Sequence, residues 1–206
     1  MNLRLLVATV AVPAVIVTAG CGHGGNASSS SPATTSRAST QTTQASTSPG
    51  ALRAEAASSA TGDIPDNQVF LVYHSPAAWS IKYPEGWAQS GGPNAAVFRD
   101  KNNVVRVVVQ RGSLPSTAKV RGDNSLRAAH ITSAPAAMTI HGQRAVKVVY
   151  TTQSLPNAVT GKRVTLTVDR YYVARRGRLA TVDLGTPVGV DNVDAYRLMI
   201  ESFRWR

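Results

Sequence analysis

The chain has 206 residues, with 22 Lys and Arg against 11 Asp and Glu, a formal net charge of +11, and a single cysteine. One cysteine excludes an internal disulfide, a CxxC redox pair and a cysteine-rich zinc site within the chain. From Asp63 to Arg206 the balance is 19 to 10, so the excess belongs to the periodic part of the sequence and admits three readings: attraction to anionic lipid headgroups, attraction to acidic wall polymers, or a solubility bias without a specific partner.

Met1 to Arg4 is a short basic start, and Leu5 to Val17 is an apolar run of thirteen residues broken only by Thr9 and Pro13. A helix crossing a bilayer of about 30 Å needs roughly 20 residues, so residues 1–20 read as an export signal and not as a membrane span. Small residues follow, Val17-Thr18-Ala19-Gly20, ending on Cys21. This window resembles the lipobox cut by the lipoprotein signal peptidase between Gly20 and Cys21, with Thr18 where that motif usually has leucine. The resemblance implies a diacylglycerol thioether on Cys21, which would tie the chain to the lipid bilayer on the extracytoplasmic face of the cell membrane. Residues 21–65 then form the lipidated cysteine and a tether rich in Ser, Thr, Ala and Gly. Such a composition buries too little surface to offset its conformational entropy. About 41 coil residues span a root-mean-square distance near 35 Å.

Residues 66–206 carry the globular domain. Short β-branched runs separated by turn residues predict an antiparallel sheet with strands at Val69–Tyr73, Trp79–Tyr83, Ala95–Phe98, Val104–Val109, Met138–His141, Ala145–Thr151, Val164–Val173 and Leu179–Leu184. Hairpin turns are expected at Asp100–Asn103, His141–Gln143 and Arg175–Gly177. The run Val104–Val109 is apolar on both faces apart from Arg106, as a strand covered on both sides would be. The alternation Val164, Leu166, Val168 breaks at Arg170, which predicts a bulge or an exposed face near Asp169 and Arg170. A closing helix is expected to follow Asp191, its cap, with Val193, Tyr196, Ile200 and Phe203 on one apolar stripe. A shorter helix is expected between Asn124 and His130. A helix on an antiparallel sheet makes an α+β domain.

Two stretches point further. Trp79-Ser80-Ile81-Lys82-Tyr83-Pro84-Glu85-Gly86-Trp87, with Ala96 to Asp100 after it, resembles the first strand and Pro-x-Gly-Trp turn of the PsbP/Mog1-like superfamily. Asp191 to Arg197, with Ser202-Phe203-Arg204-Trp205, is similar to the closing helix of bacterial PsbP-related lipoproteins. The resemblance implies an α/β/α sandwich around an antiparallel sheet and a class used for binding and assembly, including an extrinsic photosystem II subunit and a Ran-binding transport factor. No catalytic residues come with it, because the matched positions are turn, core and cap residues.

Among chemically suggestive residues, Ser116-Thr117-Ala118-Lys119 matches the S-x-x-K pattern of penicillin-binding enzymes but lacks its Ser-Asp-Asn and Lys-Thr-Gly companions. His74, His130 and His141 have no metal-ligand spacing. Asp169 and Asp183 fall in successive strands, either as paired carboxylates or as ion-pair partners of Arg170, Arg175 and Arg178. Arg163, Arg175, Arg176 and Arg178 are a candidate partner-binding patch for anionic polymers. The resulting expectation is a monomeric, lipid-anchored, non-catalytic binding or accessory module of the cell envelope, without cofactor, metal or nucleic acid, engaging an unidentified envelope protein or anionic polymer. The alternatives are an envelope hydrolase using Ser116 with Lys119 and a small-ligand-binding protein.

Overall fold

The computed structural model describes residues 62–157 and 159–206. Gly20, Cys21, the export signal and most of the tether lie outside the described residues. In chain order the domain comprises β1 (Phe70–Ser75), β2 (Trp79–Pro84), β3 (Ala88–Gly92), β4 (Ala95–Asp100), β5 (Asn103–Arg111), α1 (Thr117–Arg121), a 3-10 turn (Asn124–Leu126), β6 (His130–Ile140), β7 (Gln143–Gln153), β8 (Thr165–Arg175), β9 (Arg178–Pro187), α2 (Val193–Ser202) and β10 (Arg204–Trp205). Among the described residues, no helix is long and apolar enough to cross a membrane.

The three expected hairpins all form, each closed by a residue pair across a two-residue turn: Asp100 with Asn103, Ile140 with Gln143, and Arg175 with Arg178. At His141-Gly142 and Arg176-Gly177 both turn residues have positive φ, the left-handed geometry that matches the twist of the flanking strands and that glycine adopts without strain. The hairpins chain the strands into a seven-stranded antiparallel sheet ordered β3-β4-β5-β9-β8-β7-β6. A second sheet, β1-β2-β10, has three strands.

Strand alternation divides the large sheet into two chemically different faces. On one, Phe98, Val105, Val107, Val182, Leu184 and Val173 pack with Trp79 and Ile81 of β2 and with Tyr196, Met199, Ile200, Phe203 and Trp205. The three-stranded sheet and α2 together cover this face. On the other, Val146, Val148, Tyr150, Leu166, Val168 and Tyr172 are covered by Val120 of α1 and Leu126 of the 3-10 turn. The sandwich expected from the resemblance is therefore lopsided. The domain is mixed and mostly antiparallel β, and its second face carries only a five-residue helix and a 3-10 turn where a full helical layer was expected.

Other expectations change with it. β8 pairs without interruption through Asp169 and Arg170, because Arg170 is buried as an ion pair and the alternation never breaks. The irregularity falls in β6, between Ile131 and Ala136, on the sheet edge, where Pro135 has no ladder N–H to give. In α2 the apolar stripe runs through Tyr196, Met199 and Ile200, while Val193 is 69% exposed in the first turn. Asn192 takes the N-cap position, and the Asp191 carboxylate accepts from the Val193 N–H at 3.2 Å. The segment after Asn124 makes only the 3-10 turn before β6 begins at His130.

Buried amides tie the chain entering the domain to its body. Asn103 and Asn192 both donate to the Gly62 carbonyl, at 2.5 and 3.1 Å, and the Ile64 N–H donates to Asn192 Oδ1 at 2.8 Å. Asn192 also donates to Thr186 Oγ1, which itself donates to Asn103 Oδ1.

Candidate functional site

The second face of the large sheet holds the most concentrated polar chemistry in the described residues. Register places Arg106 of β5 beside Asp183 of β9, and Asp183 beside Arg170 of β8, so three charged side chains stand in one row across three strands. Arg170 grips the carboxylate through Nε to Oδ1 at 2.5 Å and Nη2 to Oδ2 at 3.0 Å. Its remaining donors reach Ser125 Oγ at 2.7 Å and the Tyr150 hydroxyl at 3.1 Å. Arg106 approaches from the other side, donating through Nε and Nη2 to Oδ2 at 3.0 and 2.6 Å.

The two arginines differ in exposure. The Arg170 side chain is 4% exposed and that of Arg106 44%. Burial opposes charge on Arg170, but the hydrogen-bonded Asp183 carboxylate outweighs it and raises its pKa further. Burial also pushes the Tyr150 hydroxyl up to about 12, with the Asp183 charge adding to it. Tyr172 likewise rises to about 12 through burial; its hydroxyl donates to Asp123 Oδ2 at 2.9 Å. Partial burial works against ionisation of Asp123, yet the Ser125 N–H and the Tyr172 hydroxyl outweigh it and hold its carboxyl below the usual carboxylate range.

Beside this row, where α1 and the 3-10 turn stop short of covering β5 and β9, lies a groove of about 670 Å³ lined by Arg106, Arg111, Lys119, Asp123, Ser125 and Arg170 among others. Its lining holds four cations and one carboxylate, Asp123, while Asp183 is buried behind Arg106 and Arg170. A neighbouring groove of about 790 Å³ carries Arg144, Arg175 and Arg176 with no carboxylate in its lining, and the two share Gly112, Ser113 and Pro115 as a common wall. Positive charge thus accumulates on both sides of the Gly112–Pro115 linker.

The four arginines singled out from sequence do not form one patch. Arg175, Arg176 and Arg178 gather at the β8–β9 hairpin, whereas Arg163 precedes β8 at its far end, about 33 Å away along eleven strand residues. Arg163 donates to the Ser154 carbonyl at 2.7 Å. Arg178 is committed to the first face, stacking on Trp205 at 4.5 Å from the ring centroid and donating to the Ala77 carbonyl. Arg175 donates to the Trp205 carbonyl at 3.2 Å. Arg106, Arg111, Lys119 and Arg144 complete the cationic surface instead. The signal that could have found Arg106 is its position as the one polar residue within the apolar run Val104–Val109.

Asp169 and Asp183 lie on opposite faces of the sheet, since Asp169 stands opposite Leu184 and Asp183 opposite Arg170. Asp169 pairs with Lys147 at 2.7 Å. Ser116 is the N-cap of α1, its Oγ accepting from the Lys119 backbone N–H at 3.2 Å, so the serine meets the lysine's main chain and not its amine. His141 contacts the Glu201 carbonyl through Nε2. No group of three or more His, Cys, Asp or Glu suited to a metal occurs among the described residues.

No protein-family model matches the chain, and no curated protein does. Among solved structures it is similar to cyanobacterial PsbP (CyanoP) from Synechocystis sp. PCC 6803, at 19% identity and a TM-score of 0.48, over 70% of this chain and 98% of that one. It is also similar to a protein of Bacteroides thetaiotaomicron, at 14% identity and a TM-score of 0.45, over 66% of this chain and 48% of that one. At these identities and scores neither likeness says what the chain binds, which is read from its own side chains.

Proposed function

We propose that the chain is a bacterial lipoprotein, held through Cys21 on the extracytoplasmic face of the cell membrane, whose domain is a non-catalytic binding or accessory module for an anionic partner in the envelope. One observation carries the binding part of this reading. In the grooves flanking the Gly112–Pro115 linker, cations outnumber carboxylates, and Arg106, Arg111, Lys119, Arg144 and Arg176 stand at solvent. Such a surface attracts anions over roughly a Debye length, about 8 Å at physiological salt. The anchoring part rests on the apolar run Leu5–Val17 and the small residues that lead from it to Cys21, and the accessory-module part also on the resemblance of the Trp79–Trp87 and Asp191–Trp205 motifs to PsbP-related lipoproteins.

The test is crosslinking of the intact protein in its own cells, followed by mass spectrometry, beside a Cys21→Ser control. Wild type is expected in the membrane fraction with an amino-terminal diacylglycerol peptide and one enriched acidic partner; the control is expected to lose the lipid and the enrichment. A wild-type chain without lipid contradicts the anchor, and a crosslinked partner that does not depend on the groove cations contradicts the binding surface.

A further inference from the structure

We infer that Arg106 is the anchor of an oxyanion site, recognising a phosphoryl or carboxylate group by two parallel hydrogen bonds; this rests on the groove being the binding surface and adds the chemistry it reads. The inference comes from counting N–H groups. A guanidinium has five, and its flat fork can grip a two-oxygen edge from the side, through Nε and one Nη, or end-on, through both Nη atoms. Arg106 spends its side edge on Asp183, with Nε and Nη2 both directed at Oδ2. Its end edge retains three N–H groups, and the side chain lines the open groove at 44% exposure.

The same contacts orient that edge. Asp183 shares its one negative charge between Arg170, which takes both carboxylate oxygens, and Arg106, so the two arginines and the carboxylate together carry a net positive charge. That positive charge stands at the groove while the Arg106 guanidinium is held in place, a donor pair organised before any ligand arrives. Lys119 lines the same groove and supplies a second cation, while Ser125 is engaged on both sides, its oxygen accepting from Arg170 at 2.7 Å and its hydroxyl bonded to the Asp123 carboxylate. Asp123 lines the same groove, its carboxylate occupied by the Tyr172 hydroxyl and by the Ser125 N–H and hydroxyl. A phosphate monoester, the phosphodiester of a lipid headgroup and a carboxylate all present the two-oxygen edge this arrangement fits.

The experiment is a titration of the full-length chain in detergent with inorganic phosphate, following the Arg106 Nε–H and the Lys119 and Ser125 amides by NMR. Saturable shifts confined to these groups are expected. Arg106→Lys keeps the charge and loses the fork, so affinity should fall about tenfold or more, as for the loss of one charge-assisted bond. Arg106→Gln should fall at least as far, while Lys162→Gln, on the exposed loop before β8 and outside both grooves, should bind as wild type does. Equal affinity in wild type and Arg106→Lys, or unsaturable shifts spread over Arg144 and Arg176, would overturn the inference. Because every variant keeps Arg170 paired to Asp183, its fold is checked independently by circular dichroism. Vesicles of phosphatidylglycerol against phosphatidylcholine then identify the source: competition with phosphate marks a headgroup, and phosphate binding without vesicle binding marks a soluble ligand. Failure of the wild-type chain to bind phosphate, with an in-cell partner that still depends on the groove cations, would defeat this inference while leaving the proposed function standing.

Discussion

The two faces of the seven-stranded sheet are built from the same strands and held by opposite means. On the covered face, aromatic and aliphatic side chains interlock, with Trp79 stacked on Phe203 at 6.3 Å and Tyr83 on Phe98 at 4.3 Å between ring centroids. On the half-open face, an Arg–Asp–Arg row with Tyr150 crosses three strands beside a groove. Burying apolar area is favourable wherever it happens. A buried ion pair roughly breaks even against an apolar replacement and is costly only when half of it is removed. Apolar packing, heaviest on the covered face and continued on the other around Val148, Val168 and Leu126, accordingly accounts for stability. The row on the other face is better understood as a device for holding Arg106 at the groove than as a source of stability.

That contrast can be broken by substitution. The largest effect is expected for Asp183→Ala, which strands Arg170 inside the protein: about 3–5 kcal/mol lost in urea denaturation. Phe203→Ala on the covered face should cost a similar 3–5 kcal/mol. The two should part in the second step. Arg170→Met with Asp183→Leu should recover most of the first loss, whereas no single neighbour can restore Phe203. A double variant as unstable as Asp183→Ala would show that the row stabilises the fold outright.

A smaller loss, about 1–3 kcal/mol, is expected for Asn192→Leu, which deprives the Gly62 carbonyl and Asn103 of a buried donor. Alkaline titration sharpens the picture of the polar face. Tyr150 and Tyr172 hold their protons to about 12 in the folded domain, against about 10 in the unfolded chain. The unfolded state thus releases protons first, so their stabilisation is intact below pH 10 and disappears as pH rises from 10 to 12. Absorbance at the tyrosinate band should show this late ionisation, and Tyr150→Phe should remove part of the alkaline loss of stability. Ser116→Ala, removing the cap of α1, should cost about 1 kcal/mol, with α1 otherwise unperturbed by circular dichroism. Arg197→Ala breaks only the exposed pair with Asp194 and should cost less than about 0.5 kcal/mol.

Hairpins were the most legible part of the sequence, because Arg176-Gly177 and His141-Gly142 advertise their turns locally. Only the end of β6, from Met138, was legible, and its start was hidden for the opposite reason: an edge segment containing Pro135 and four alanine and serine positions exposed to solvent has no alternation to read. β3, with Ser90, Gly91 and Gly92, is hidden in the same way. The candidate site was concealed by register. Asp183 and Arg170, whose ion pair across the β8–β9 hairpin is one option the sequence offers, are 13 residues apart, but Arg106 lies 77 residues from Asp183 and only the pairing of β5 with β9 brings it into the row. Arg170 looked like a break in alternation because its burial depends on a carboxylate that the periodicity of β8 alone does not reveal.

The most direct test of the central claim is charge reversal in the groove of the intact protein. Arg106→Glu with Lys119→Glu, compared with Lys162→Glu on the loop before β8, should abolish in-cell crosslinking to the acidic partner while the Lys162 variant crosslinks as wild type does. Equal crosslinking by all three proteins would contradict the assignment of the groove as the binding surface.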